Sequence, residues 1–228
     1  MSKKHVTIAL AGNPNSGKTS VFNNLTGAKQ HVGNWPGVTV EKKEGMLKFR
    51  EKEIKVVDLP GVYSLTAYSL DEVIARDYIV DERPDVVVNI VDASNLERNL
   101  YLTVQLLEMG VKLVIGLNMM DIVESREYHV DIDELSRLLG TPVVPLVASR
   151  NQGTQELLET VMAAADGLVP SSGINITYGQ DIEAEIAKLE KLVSGNSLAK
   201  HYPPRWLAVK ILEEDKEIIK KIGQIDVG

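Results

Sequence analysis

Val6-Thr7-Ile8-Ala9-Leu10-Ala11-Gly12-Asn13-Pro14-Asn15-Ser16-Gly17-Lys18-Thr19-Ser20-Val21-Phe22 decides how the rest of the chain is read. A strand-length apolar run meets a Gly/Asn/Pro turn, and Val21, Phe22 and Leu25 then recur at helical spacing. Gly12 to Thr19 fits G-x-x-x-x-G-K-[ST] between a predicted strand and a predicted helix. Such a loop wraps an anion in backbone N–H groups, and the helix start adds partial positive charge. Lys18 then reaches the β- and γ-phosphates and the Thr19 hydroxyl ligates Mg²⁺. Gly12, Asn13, Pro14, Asn15, Ser16, Gly17, Lys18, Thr19 and Ser20 are the candidate phosphate-binding residues.

Outward from this loop, short apolar runs alternate with helical periodicity. Val40 to Phe49 and Glu53 to Val57 read as two strands joined at Arg50-Glu51-Lys52, and Leu70 to Val80 as a helix. Val86 to Val91, Val111 to Leu117 and Pro142 to Leu146 read as further strands. Ser94-x-x-Glu97 reads as a capping box opening a helix with Leu96, Leu100, Val104 and Leu107 on one face, stopped by Gly110. Asp131 caps a helix ending at Gly140, and Thr154 to Ala165 is another helix. Strands separated by helices imply a mostly parallel sheet covered on both faces, the α/β class of P-loop NTPases.

The predicted α/β domain spans residues 1–166, followed by a linker and small helical domain over 167–228. Gly167 to Gly179, containing Pro170-Ser171-Ser172-Gly173, reads as the linker. In the tail, Ile182, Ile186, Leu189 and Leu192 form one stripe, and Leu207, Ile211, Ile218, Ile219 and Ile222 continue the helical pattern. Pro203-Pro204 suits a helix start, where a missing N–H costs nothing.

Three later motifs choose among nucleotides. Asp58-Leu59-Pro60-Gly61 follows a strand as a D-x-x-G element does: the carboxylate holds Mg²⁺ through water and the Gly61 N–H senses a γ-phosphate. Asn118-Met119-Met120-Asp121 follows another strand, and an ionised Asp121 accepts from guanine N1–H and N2–H₂, groups adenine does not present. Val147-Ala148-Ser149 ends the last strand, where the Ala148 N–H is expected on guanine O6. All lie at strand C-terminal ends, the edge where open α/β sheets bind ligands. Between the phosphate loop and Asp58, Gly33-Asn34-Trp35-Pro36-Gly37-Val38-Thr39 reads as a switch loop, with Thr39 a Mg²⁺ ligand dependent on the γ-phosphate and Trp35 at a mobile surface position. Val62 to Leu70 is the second switch, and Glu72 there is either a water-positioner or a solvated helix charge.

The 228 residues carry 25 Lys+Arg against 32 Asp+Glu, a net charge of −7 that disfavours a general nucleic-acid binder. Residues 1–166 hold −6 of it and the tail −1, so the tail is no basic arm. Zero Cys excludes disulfide scaffolds, Cys-ligated zinc and thiol catalysis. No apolar run approaches a membrane span, and Met1 to His5 leads into too short an apolar stretch for a signal peptide. His5, His31, His129 and His201 share no ligand spacing, and Met109, Met119 and Met120 read as packing residues.

Together Gly12 to Asn24, Val32 to Glu41, Asp58 to Leu65, Ala75-Arg76-Asp77-Tyr78 and Val91 to Thr103 resemble the cytosolic GTPase domain of the FeoB ferrous iron transporters. The likeness covers roughly residues 5–165; the tail is similar in position and periodicity. It implies a GTPase with Gly37, Val38 and Thr39 at the nucleotide, catalysis resting on Lys18, Thr39, Gly61 and Asn15, and Asn15 binding a K⁺ that accelerates hydrolysis. It further implies an attached transmembrane iron permease and a place at the cytoplasmic face of the cell membrane. Self-association is compatible with it. Where Ras-like enzymes orient water with a glutamine, this chain has Val62, so turnover is expected to be slow, on the order of 10⁻⁴ to 10⁻² s⁻¹. The alternatives are an RNA-linked GTPase of ribosome assembly or tRNA modification, and a non-catalytic nucleotide-sensing module.

Overall fold

A computed structural model describes residues 5–66, 68–170 and 176–225. Strand β1 (His5–Gly12) lies at the centre of a seven-stranded sheet. Beside it are β4 (Lys52–Asp58), β3 (Glu41–Phe49) and β2 (Gln30–Asn34) on one side. On the other are β5 (Val86–Asp92), β6 (Leu113–Asn118) and β7 (Val143–Pro145). The β2–β3 and β3–β4 pairs are antiparallel and the other four parallel, so the expected mostly parallel sheet carries one antiparallel edge.

Alternation along the strands builds two cores. Val6, Ile8 and Leu10 of β1 join Val86, Val88 and Ile90 of β5 beneath α1 (Lys18–Thr26) and α6 (Thr154–Ala165). Ala9 and Ala11 join Val87 and Val91 on the opposite face, under α2 (Leu70–Glu82), α3 (Leu96–Glu108) and α5 (Ile132–Leu139). That second core continues into the tail, taking in Val193 of α7 (Gln180–Val193), Leu198 and Tyr202 from the η-turn region, Trp206 and Leu207 of α8 (Pro204–Leu212) and Ile218 of α9 (Lys216–Ile225). Pro204 takes the first turn of α8. A smaller core of Ile186, Ala208 and Val209 joins α7 to α8.

Several expectations change. The β2 strand and the short α4 (Met120–Ser125) are additional elements. Asp92 Oδ1 takes both the N–H and hydroxyl of Ser94, at 2.8 and 2.7 Å, so residues 93–95 form a 3₁₀ turn and the helix starts at Leu96 without the Ser94 box. Of the expected α3 stripe, Leu107 is buried and Leu96 and Leu100 pack partly buried against the core; the buried face also takes in Asn99, Leu102, Thr103, Gln105 and Leu106, with Asn99 and Thr103 bonding inward to the Asp92 N–H and to Asn89. In α7, Ile182 and Leu192 are exposed while Ile186 and Val193 are buried, shifting the stripe. The linker positions Ser171, Ser172 and Gly173 lie outside the described residues.

Candidate functional site

The loop after β1 is shaped by close approaches. A Cβ on Gly12 would sit 2.6 Å from the Ile90 carbonyl oxygen, and Gly17, at φ 87°, would push one to 2.1 Å from Asn118 Nδ2. Asn15 also lies in the left-handed region at φ 64°, which Asn tolerates better than most residues. The Ser16 N–H donates to Asn13 O at 3.2 Å, and Asn13 Nδ2 reaches Arg98 O. Among the described residues, buried Ser16 Oγ and Asn13 Oδ1 have no hydrogen-bond partner. Thr19 and Ser20 stand exposed in the first turn of α1, the helix end that carries positive partial charge.

Asp58 ends β4 beside the loop. The buried Lys18 ammonium donates to Asp58 Oδ1 and, at 2.6 Å, to the Leu59 carbonyl. The turn is pinned by main-chain bonds, Leu59 N–H to Leu10 O at 3.0 Å and Val62 N–H to Gly12 O at 3.2 Å. Gly61 packs so close to Pro14 that a Cβ would lie 3.3 Å from its Cα. Val62 is buried. Glu72 is a half-exposed helix carboxylate that also caps: it accepts from Ser64 Oγ at 2.7 Å and from the Tyr68 and Ser69 N–H groups at 2.8 and 3.1 Å, closing a capping box on α2.

Across the sheet edge Asn118 joins three motifs. Its Nδ2 donates to Ser16 O at 2.9 Å and its Oδ1 accepts from the Ala148 N–H at 2.9 Å. The Ala148 N–H expected on a base is therefore already bound to Asn118. Met119 turns the chain at φ 65°, which places Asp121 in the first turn of α4. Asp121 accepts from the Ile122 N–H at 3.1 Å and lies 3.7 Å from Arg150, just beyond Val147, Ala148 and Ser149.

The first switch segment stands apart. Trp35, expected at the surface, is 7% exposed, packs edge-on to Tyr78 of α2 at 5.4 Å and lies under the Lys42 ammonium at 4.8 Å. The Trp35 main-chain N–H donates to Val40 O, so Pro36, Gly37, Val38 and Thr39 form a hairpin tip between β2 and β3, with Thr39 exposed. β3 pairs Lys43 with Asp58, and Thr39 is four residues earlier, up to about 13 Å further along an extended chain. Thr39 is thus beyond Asp58 along the sheet, and among the described residues no hydrogen bond ties it to Thr19 or Asp58.

Opposite the nucleotide motifs, α2 is bound to the tail. Fully buried Arg76 pairs with Asp215 at 3.2 Å and with its neighbour Asp77, and Lys221 reaches Asp77 and the Tyr202 hydroxyl. Tyr202 stacks on Trp206 at 4.9 Å. Glu108, at the end of α3, faces Lys210, Arg205 and Glu213; burial outweighs the two cations and raises its carboxyl to about 7. Arg76 and Asp77 belong to a segment that carries the family resemblance, whereas Asp215, Lys221 and Glu108 could be sought only as charges interrupting apolar periodicity. Among the described residues, no helix is long and apolar enough to cross a membrane.

The profile of the ferrous iron transport protein B family matches residues 6–161, and that of the FeoB cytosolic helical domain matches residues 178–227. The chain is 47% identical over 229 residues to the Fe(2+) transport protein A/Fe(2+) transporter FeoB fusion protein of Porphyromonas gingivalis, covering 98% of this chain and 27% of that protein. It is 46% identical over 217 residues to the Fe(2+) transporter FeoB of Escherichia coli K12, covering 93% and 27%. It thus spans about a quarter of the length of these relatives. The cytosolic domain of the T. maritima FeoB iron transporter, solved in apo, GDP and GMPPNP forms, superposes with TM-scores of 0.90 to 0.91 at 40% identity, over 96 to 97% of this chain and 85 to 86% of that one. With phosphate loop, Asp58 turn and Asn118 brace on one sheet edge and a helical unit packed on α2, the chain belongs to the FeoB ferrous iron transporter family, of which it carries the G domain and the cytosolic helical domain.

Proposed function

We propose that this chain binds and slowly hydrolyses GTP, and that the nucleotide cycle controls ferrous iron uptake by a permease joined to it at the cytoplasmic face of a membrane. The supporting observation is the Asn118 brace, which ties the phosphate loop to the turn at Ala148 and sets Asp121 beside it. Solved GDP and GMPPNP forms of the T. maritima relative point the same way.

In this reading Lys18 exchanges two oxygen acceptors, the Asp58 carboxylate and the Leu59 carbonyl, for phosphate oxygens, keeping its charge-assisted bonds. Loop N–H groups and the α1 N-terminus hold the remaining phosphate charge. Asp121, as acceptor only, selects guanine. Thr19 and Asp58 offer the hard oxygen donors that Mg²⁺ takes together with phosphates and water, so the residues present fit that ion. Bound there, Mg²⁺ neutralises charge developing on the phosphates. Asn15 makes no hydrogen bond through its side chain among the described residues, leaving its amide oxygen for K⁺. Thr39 would join them from the tip of the hairpin that Trp35 anchors on Tyr78, so the first switch is linked to α2 and hence to the helical domain.

Neither Val62 nor Glu72 presents a side chain to orient water, since one is buried and the other caps α2. Positioning then rests on backbone groups, consistent with slow turnover. Single-turnover GTP hydrolysis in KCl against NaCl tests this. Hydrolysis faster in KCl is expected, and intact GTP binding without hydrolysis in either salt would leave a nucleotide-sensing module instead.

A further inference from the structure

Asn24 belongs to none of the nucleotide motifs. It lies late in α1, six residues beyond Lys18, yet its Nδ2 donates to the Ala148 carbonyl across 124 residues at 2.8 Å. A carbonyl only accepts, so the contact fixes which end of the amide faces the turn. The Asn151 N–H donates to the same oxygen at 3.1 Å, and the Ala148 N–H is held by Asn118 Oδ1. Two asparagine side chains, one from α1 and one from β6, therefore clamp Ala148 from both sides.

Peptide geometry carries this to the base. No peptide bond described is cis, and in a trans unit the N–H points opposite to the C=O. With the Ala148 C=O drawn toward α1, the Ser149 N–H is directed away from α1. Arg150, the next residue, reaches Asp121 Oδ2 at 3.7 Å, so the outer side of this turn and the base-reading carboxylate adjoin. Guanine presents O6 next to the N1–H that Asp121 accepts. We propose that Asn24 is a positioning residue for guanine: it orients the Ala148–Ser149 peptide so that the Ser149 N–H donates to O6. This rests on the guanine-nucleotide reading above, and assigns to Ser149 the contact that Ala148 cannot make while bound to Asn118.

A bond that only ties α1 to the turn would serve every nucleotide alike, whereas one acting through O6 would not. The test is a set of affinities measured with Mg²⁺ for GDP, ADP and 6-thio-GDP, which keeps N1–H and N2–H₂ but replaces O6 with a weak acceptor. The unaltered protein should prefer GDP over both. Asn24→Ala should lose about tenfold in GDP affinity, the scale of one desolvated hydrogen bond, and little in 6-thio-GDP affinity. Asn24→Asp keeps the shape and deletes the donor, so it reads the same contact should Asn24→Ala fold poorly, and the facing carboxylate and carbonyl should make its loss larger. Equal losses for GDP and 6-thio-GDP, or no loss, would overturn the role of Asn24 while leaving guanine binding intact. Failure of the unaltered protein to prefer GDP over ADP would remove the guanine reading itself.

Discussion

The phosphate-loop edge of the sheet and the seam between α2 and the helical tail both bury charge, but they are held by different kinds of bond. At the loop, Lys18 and Asp58 sit in a frame of main-chain contacts: Val62 to Gly12, Leu59 to Leu10, Ser16 to Asn13. At the seam, single side chains reach across the chain, Arg76 to Asp215 over 139 residues and Lys221 to Asp77 over 144. The first kind tolerates few backbones and leaves its mark as glycines. The second tolerates many backbones and leaves only a charge where an apolar residue would otherwise stand. A backbone frame should therefore fail by losing ligand, and a side-chain clasp by losing stability.

The largest contrast follows from breaking each in turn. Arg76→Ala leaves the buried Asp215 carboxylate without its counter-charge, with only the Glu217 and Ile218 N–H groups on Oδ1, and should cost about 3 kcal/mol of stability in urea denaturation. GDP affinity, measured where the variant is folded, should change less than about threefold, roughly the effect of a remote substitution. Gly17→Ala should reverse this pattern. Its Cβ collides with Asn118 Nδ2 in a left-handed backbone, so GDP affinity should fall by about a hundredfold or more, equivalent to about 3 kcal/mol. If both variants lose stability and affinity together, the edge and the seam are one cooperative unit and the contrast is wrong.

Within the seam Glu108 is the weak point, and its effect depends on pH. Burial raises its carboxyl to about 7 from an unfolded value near 4.5. The folded state then holds a proton that the unfolded chain releases, so this group's contribution falls as pH rises from 4.5 to 7 and stays flat above. Glu108→Gln should remove that slope. At pH 8 it should be more stable than the parent by about 1 to 2 kcal/mol, discounted from the full shift for partial hydration, and at pH 4 equal to it. Equal stability at both pH values would mean that Lys210 and Arg205 compensate the burial after all.

What could be read from the chain alone follows the same division. The phosphate loop, the Asp58 turn and the Asn118-to-Asp121 motif are contiguous, and their glycines and strand contexts are local, so the candidate site and the α/β fold were legible. Trp35 was not, because its burial depends on Tyr78 in a helix 43 positions later. The inward face of α3 was read too narrowly for a related reason: Asn99 and Thr103 are polar by type but bonded to Asp92 and Asn89, and apolar periodicity gives them no weight. At Ala148 the chain alone did not show that the N–H is already taken, since its acceptor, Asn118 Oδ1, arrives from another strand.

The finest version of the contrast lies in two segments with one pattern. Ser69-Leu70-Asp71-Glu72 and Ser94-Asn95-Leu96-Glu97 are both S-x-x-E ahead of a helix. At the first, Ser69 Oγ accepts from the Glu72 N–H and Glu72 returns the bond to the Ser69 N–H, so the box forms. At the second, Asp92 stands two residues upstream at a strand end and takes both the N–H and the hydroxyl of Ser94. A carboxylate outcompetes a helix N–H for that hydroxyl's neighbourhood, and the helix start slips to Leu96. Ser69→Ala should therefore cost about 1 kcal/mol, the usual worth of an N-cap, and Ser94→Ala less than about half of that. Equal costs in urea denaturation would show that Ser94 caps α3 in solution. Asp92→Ala separates the two descriptions further: with the competing carboxylate gone, Ser94 becomes free to cap, and a following Ser94→Ala should then cost as much as Ser69→Ala does.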